Sequence, residues 1–352
     1  MINLKKYLPI IIGSFIILGL ITFSFIYTYF IKDTIKPAPA LLYNAEGKLI
    51  DTYGYPPSWK YLFGVDRFGR DVFWMVMDGA KYTLSIAIVV GLIRVIFGGL
   101  LGTFFGFMNQ KLLKIIEPIL NAFRFVPAVI IIFPFFEKLN YVPEAAKEKT
   151  IALQISLLII ISIPVLMNSI GDEVRAFLKN DFITSSRIIG ARNGWIRRKH
   201  VIPYLRSRIL LLFVQQTIQT LFLLTQLGVF KLFIGGVKVL YLDIGVDRPM
   251  SEANEWSAMI GANYIELSID SWVIIGPSIA FVVSIFAFNL IKLGIERLIE
   301  NQTGQKKKQL ITNEGSYQGF NDFDFVKKEK LNEVSSIVDE ESKSSGKLLT
   351  RL

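Results

Sequence analysis

The chain has no cysteine and a single histidine, His200, among 352 residues. Disulfides, thiolate metal sites and cysteine nucleophiles are excluded together, and a histidine-rich metal centre goes with them. Charge is scarce as well. Asp, Glu, Lys and Arg make up 19% of the chain, below the roughly 25% usual in soluble domains. The nucleotide-binding pattern G-x-x-x-x-G-K-[ST] is absent: the nearest fragment, Gly346, Lys347 and Leu348, lacks both the leading glycine and the hydroxyl residue that meets Mg²⁺. A net charge of +10 raises the question of nucleic acid, but no interleaved aromatic and basic surface is present to bind it.

What the chain does contain is apolar sequence, 52% by count with a mean hydropathy of +0.46. It is gathered into uninterrupted runs rather than spread over one face of each helix. A helix needs about 20 mostly apolar residues to cross a hydrocarbon core, and its backbone groups must be satisfied within the segment. Six stretches qualify, near residues 7–31, 82–107, 115–136, 151–170, 209–234 and 272–294. The sequence therefore predicts an all-α polytopic membrane protein with six transmembrane helices. The first run follows only two lysines, is longer than a signal-peptide core and lacks a small-residue cleavage pattern, which predicts a retained helix.

Orientation follows the basic residues near the span ends. With the N-terminus inside, residues 1–6, 108–114, 171–208 and 292–308 carry 18 Lys and Arg, against 12 in the longer stretches 32–81, 137–149 and 235–271. Both termini are thus expected on the cytoplasmic side. Four parts follow: an N-terminal helix over 1–31, an external loop over 32–81, a five-helix core over 82–297 and a cytoplasmic tail over 298–352. The tail is polar and reads as flexible, with a short regulatory helix around 325–338 as the alternative. The basic surplus lies largely in residues 171–208, where anionic lipid or an acidic protein is the simpler partner.

The loop 172–205, DEVRAFLKNDFITSSRIIGARNGWIRRKHVIPYL, is too elaborate for a connector. Val174, Phe177, Leu178, Phe182, Ser185, Ile188 and Ile189 fall on one helical face, which predicts a helix ending at Gly190, where a residue without Cβ takes positive φ. A second, basic helix over 193–200 is expected to stop before Pro203. Two short helices meeting at a glycine form a knob suited to a partner's groove.

This loop resembles one found in permease subunits of binding-protein-dependent ABC importers, which carry E-A-A, three residues, G, nine residues, I, one residue, L-P. Thr184, Ser185 and Ser186 stand at E-A-A, Gly190 at G, His200 at I, and Ile202 and Pro203 at L-P. Asp181, Phe182, Arg187 and the run Arg198-Lys199-His200-Val201-Ile202-Pro203 resemble the dipeptide, oligopeptide and nickel branch. Thr, Ser and Ser in place of Glu, Ala and Ala keep the small residues and lose the acid. A second stretch, FGVDRFGRDVFWMVMDGAKYTLS at 63–85, is similar to the same branch's L-G-T-D-x-x-G-R-D-V followed by G-A-R-x-S-L. Gly64, Asp66, Gly69, Arg70, Asp71, Val72, Gly79 and Ala80 match. By itself this stretch also reads as an interfacial, glycine-punctuated turn. Weaker echoes lie at Glu117, Pro127, Trp256, Met259 and Phe288-Asn289-Leu290, leaving only an insertion around 229–253 and the tail after 301 outside the resemblance.

The resemblance implies a type I ABC importer permease fold in a bacterial inner membrane. It implies a second, homologous permease, two cytoplasmic ATPase subunits that bind ATP and Mg²⁺, and an extracytoplasmic solute-binding protein, with peptides as the commonest cargo. The permease itself then needs no cofactor and is not an enzyme. It also implies coupling to the ATPases through Asp181, Phe182, Thr184, Ser185, Ser186, Arg187, Gly190, His200 and Pro203. His200, without a paired carboxylate or nucleophile, reads as an interface residue rather than a general base.

Polar residues inside the spans must face protein or water. Gln215, Gln219 and Gln226 share a face, flanked by Gln216 and Thr220, and either line a translocation path or join helices. Arg94 and Arg124 each require a partner, an interface or the path. Arg124 is a candidate for an anionic group of the substrate; pairing with Glu117 and snorkelling are its alternatives. Gly98, Gly102 and Gly106 allow close helix approach. Two other classes stay open: an ion-coupled secondary transporter, disfavoured by the lack of a clear internal repeat, and a non-transporting receptor or assembly protein. The 229–253 insertion is a candidate external surface for the binding protein.

Overall fold

The computed structural model describes residues 4–39, 41–43, 49–52, 54–140, 146–236, 238–240, 248–250, 254–268 and 270–316. Among the described residues ten α-helices occur in this order: α1 (Leu4–Ile26), α2 (Val72–Gly106), α3 (Gln110–Phe125), α4 (Ala128–Asn140), α5 (Lys147–Phe177), α6 (Asp181–Ile188), α7 (Asn193–Ile196), α8 (Ile202–Val229), α9 (Trp256–Ala262) and α10 (Trp272–Ser316). Two short antiparallel hairpins, β1 (Leu41–Tyr43) with β2 (Leu49–Thr52) and β3 (Lys238–Leu240) with β4 (Arg248–Met250), lie between spans. Five segments are long and apolar enough to cross a membrane, and α3 with α4 make a sixth if the bent pair counts as one. The chain forms two units, 1–297 and 298–352. The second is described only as far as Ser316, and its described part is helical.

Three of the expected spans differ from the structure. The second opens at Val72 rather than 82, because Asp71 caps it by accepting the Phe73 N–H at 2.9 Å, and because Asp78 and Lys81 neutralise each other within it. The third is two helices bent by 78°, broken at Val126 and Pro127. Proline restricts the residue before it to extended backbone, and Val126 sits at φ −91°, ψ 123°. The fifth does not restart after Pro203. A π-helical turn over Arg197–Val201 runs straight into α8, accommodating Pro203 near its start, where the missing N–H costs least. The region expected to begin the tail at 298 is the last part of α10. The alternative helix at 325–338 lies outside the described residues.

α2 is the central helix, packed on α1, α5 and α8. Its glycine stripe meets α5 in register. A Cβ on Gly98 would fall 2.5 Å from Leu166 Cδ2, one on Gly102 would fall 2.7 Å from Ile170 Cβ, and one on Gly106 would fall 2.5 Å from Val174 Cγ1. In lipid no hydrophobic force draws helices together, so backbone approach and dispersion must hold this pair. α1 and α10 make a similar contact through Gly13 and Gly294.

Candidate functional site

Between α5 and α8 the chain forms a two-helix hairpin. The single apolar face expected over 174–189 is interrupted at Leu178–Asn180, and α6 starts afresh after Asn180. Its buried residue is Ile183, not one of those expected. With Ile196 and Val201, it joins Val95, Leu166, Ile170, Val174 and Leu205 in one apolar cluster, bolting the hairpin to the ends of α2, α5 and α8. Ile188 and Ile189, assigned to the same helical face as the buried Val174, are 82% and 87% exposed. Gly190 follows at φ +97°, with nothing within 4 Å of where its Cβ would lie. The turn therefore requires glycine for its backbone and not for lack of room.

Asp181, Phe182, Thr184, Ser185 and Arg187 are all exposed around the same short helix. Ser185 donates to the Asp181 carbonyl at 3.0 Å and Ser186 to the Phe182 carbonyl at 2.8 Å, so neither hydroxyl needs an external partner. His200 packs edge-on against Phe182 at 5.7 Å and Trp195 at 5.1 Å, tying the two arms of the hairpin together. Pro203 lies exposed in the first turn of α8. Ser186, Ile189, Gly190, Ala191, Arg192 and Trp195 border a shallow depression of about 510 Å³ at the tip.

A second cleft, of about 440 Å³, opens beside the break in span three. Arg124, Gln215 and Gln219 line it together, with Gln216, Ser162 and Ser169. Gln226, although on the same helical face, is not among its lining residues and is exposed farther along α8. The expected pairing of Arg124 with Glu117 is absent. Glu117 lies 3.7 Å from Arg175 instead, and Arg124 has no ion pair among the described residues. Arg94 resolves differently. It is 1% exposed, donates from Nε to the Leu158 carbonyl at 3.0 Å and from Nη1 to Thr220 Oγ1 at 2.9 Å, and so clamps α2 to α5 and α8. A backbone carbonyl is invisible to sequence pairing, which is why only the need for a partner was legible.

At the opposite end from the hairpin, the 63–85 stretch folds around carboxylates. Asp66, wholly buried, accepts N–H bonds from Phe68 at 3.0 Å and Arg70 at 2.8 Å, and pairs with the Arg70 side chain at 2.7 Å. Gly64 and Gly69 supply positive φ on either side. Asp78 pairs with Lys81, accepts from Thr28 at 3.0 Å and from Asn254 at 3.2 Å, and so fastens α1, α2 and the strand-to-α9 segment. Sequence matching picked out Asp66 and Arg70 but not Asp78, whose side chain gathers the larger set of partners. Nearby, Gln154 donates to the Phe233 carbonyl at 3.0 Å and accepts from the Gly235 N–H at 2.8 Å, so the start of the 229–253 insertion is pinned to α5. Residues 237, 241–247 and 251–253 of it lie outside the described residues. No cluster of three metal-binding side chains occurs among the described residues.

No family model matches the chain. Curated relatives do. It is 22% identical over 244 residues to a dipeptide transport system permease protein of Alkalihalophilus pseudofirmus, covering 69% of this chain and 73% of the relative. It is 24% identical over 250 residues to a peptide transport system permease protein of Escherichia coli, covering 69% and 77%. A glutathione transport system permease protein of Escherichia coli is 26% identical over 267 residues, covering 73% and 78%. These relatives bear out the resemblance carried by the two motifs. The chain is similar to transport-system permease proteins, and its mainly helical build, with five or six segments able to cross a membrane among the described residues, is that of a multi-pass membrane protein. Dipeptide and peptide permeases among these relatives agree with the branch that the two motifs resemble.

Proposed function

We propose that this chain forms the translocation path of a peptide importer together with a second, homologous permease. Two ATPase subunits at the hairpin face drive it, and a solute-binding protein delivers oligopeptides or dipeptides at the opposite face. Both termini then lie in the cytoplasm. The observation that carries this reading is the hairpin: an exposed apolar tip, Ile188 and Ile189, on a support anchored in the cores of three spans. Exposed isoleucines beside Arg187 and Arg192 suit a groove with an apolar floor and acidic rim. Asp181, Phe182, Thr184, Ser185, Ser186, Arg187, Gly190, His200 and Pro203 belong to the coupling surface or its support. Arg124, Gln215 and Gln219 border the path, and Gln226 extends it along α8.

In this mechanism, ATP binding draws the ATPases together, the hairpin moves with them and the spans tilt. The cleft opens alternately to each side, a population shift of a two-state element. Gly190→Val tests the lever. A β-branched residue at positive φ costs about 1–2 kcal/mol, enough to displace the turn about tenfold in population. ATP hydrolysis by the reconstituted complex is expected to continue while peptide uptake falls by about that factor. Unchanged uptake would remove the coupling role.

A further inference from the structure

The cleft beside the broken span contains groups that the fold itself leaves unused. Arg124, the last-turn cation of α3, has no ion pair among the described residues. α4 begins directly after the two-residue break, and Ala128, its first residue, lines the same cleft. That helix end carries free N–H groups and partial positive charge. The other wall, on α8, supplies Gln215, Gln219 and Gln216. Gln216 is only 6% exposed, and its buried amide oxygen has no hydrogen-bond partner among the described residues. An orphaned acceptor at this depth costs about 1–3 kcal/mol unless something donates to it. Gln154 and Asn140, the comparable buried amides at the other end, are both fully engaged with backbone.

The cleft thus sets a cation and a helix N-terminus on one wall against an unfilled acceptor on the other. Its volume matches sites for small ligands. A simple anion would use the first wall and leave Gln216 empty. A lipid chain would use neither polar group. A peptide with a free C-terminus offers a carboxylate for Arg124 and amide N–H donors for Gln216, with apolar Ile161, Val165 and Leu212 beneath its side chains.

We propose that this cleft is a peptide subsite in which Arg124 takes the C-terminal carboxylate of the cargo and Gln216, turning its occluded amide oxygen into the cleft, accepts one of its amide N–H groups. This rests on the peptide-import reading and adds to it which end of the peptide the permease recognises. The arginine reagent phenylglyoxal reports on it in membranes containing the whole transporter, with labelling of Arg124 read by mass spectrometry. Tri-alanine is expected to slow labelling of Arg124 severalfold, and its C-terminal amide is not. Arg124→Gln is expected to lower tri-alanine uptake about tenfold, the loss of one charge-assisted contact, with Arg124→Lys recovering most of it. Equal protection by acid and amide, or none by either while the unaltered transporter still imports tri-alanine, overturns the subsite alone. Failure of the unaltered transporter to import tri-alanine or any longer peptide overturns the underlying reading and the subsite with it.

Discussion

Glu255 sits at the start of α9, 1% exposed, with one carboxyl oxygen held by the Ser257 hydroxyl and the other without a partner. Burial raises its pKa from 4.5 to about 7, against the downward pull of the Ser257 hydroxyl and of the backbone N–H groups of Ile234 and Ser257. The folded protein therefore holds this proton more tightly than the unfolded chain does. Its contribution to stability is complete below about pH 4.5, declines as pH rises and is gone above about pH 7. A shift of that size corresponds to about 3 kcal/mol. Unfolding midpoints in detergent should fall between about pH 4.5 and about pH 7 more steeply for the native chain than for Glu255→Gln, and matching slopes would disprove the burial argument. Glu255 did not stand out in the sequence, because nothing in residue spacing places it beneath the 230–236 segment. Arg124 and the glutamines were legible, since a polar side chain within an apolar run is conspicuous. Gln216 was noted only as a flanking residue because its orphaned oxygen is a property of packing.

Among the elements, the helix identities followed directly from apolar run length, whereas their breaks did not. Pro127 and Pro203 are equally visible in sequence, yet one ends a helix at a 78° bend and the other is carried through a π turn. The difference lies in what packs around them. Val201 and Leu205 are held in the apolar cluster on either side of Pro203, while Val126 and Pro127 border an open cleft. The α2–α5 contact was better specified, because three glycines spaced by four define a stripe. Its partner residues were not. Gly98→Ala should force Leu166 to move and cost about 1–3 kcal/mol. Leu166→Ala removes the Cγ and Cδ atoms that a new methyl would strike, and costs about 2–5 kcal/mol through lost packing. The double variant should be more stable than the sum of the two losses, by about 1 kcal/mol in thermal unfolding. Strict additivity would mean that these helices do not meet as described.

For the whole molecule, the hairpin has two faces with separable roles. Inward, Ile183, Ile196 and Val201 join residues of α2, α5 and α8, so a force on the hairpin reaches three spans through continuous packed side chains. Outward, Ile188 and Ile189 present apolar surface left uncovered among the described residues. Weakening each face should break the proposed machine at a different step. Ile183→Ala opens a cavity worth about 2–5 kcal/mol beneath α6. It leaves the tip chemistry intact, so the ATPases should still co-purify and hydrolyse ATP, but more ATP should be spent for each peptide imported. Ile188→Ser touches no core atom and should leave the permease as stable as before, while reducing the ATPase retained on purification and the hydrolysis it supports. Both quantities are measurable on one reconstituted preparation. If the two variants fail in the same way, the hairpin is not a lever with distinct grip and root, and the transmission of movement must run through another contact, such as the Glu117–Arg175 pair between α3 and α5.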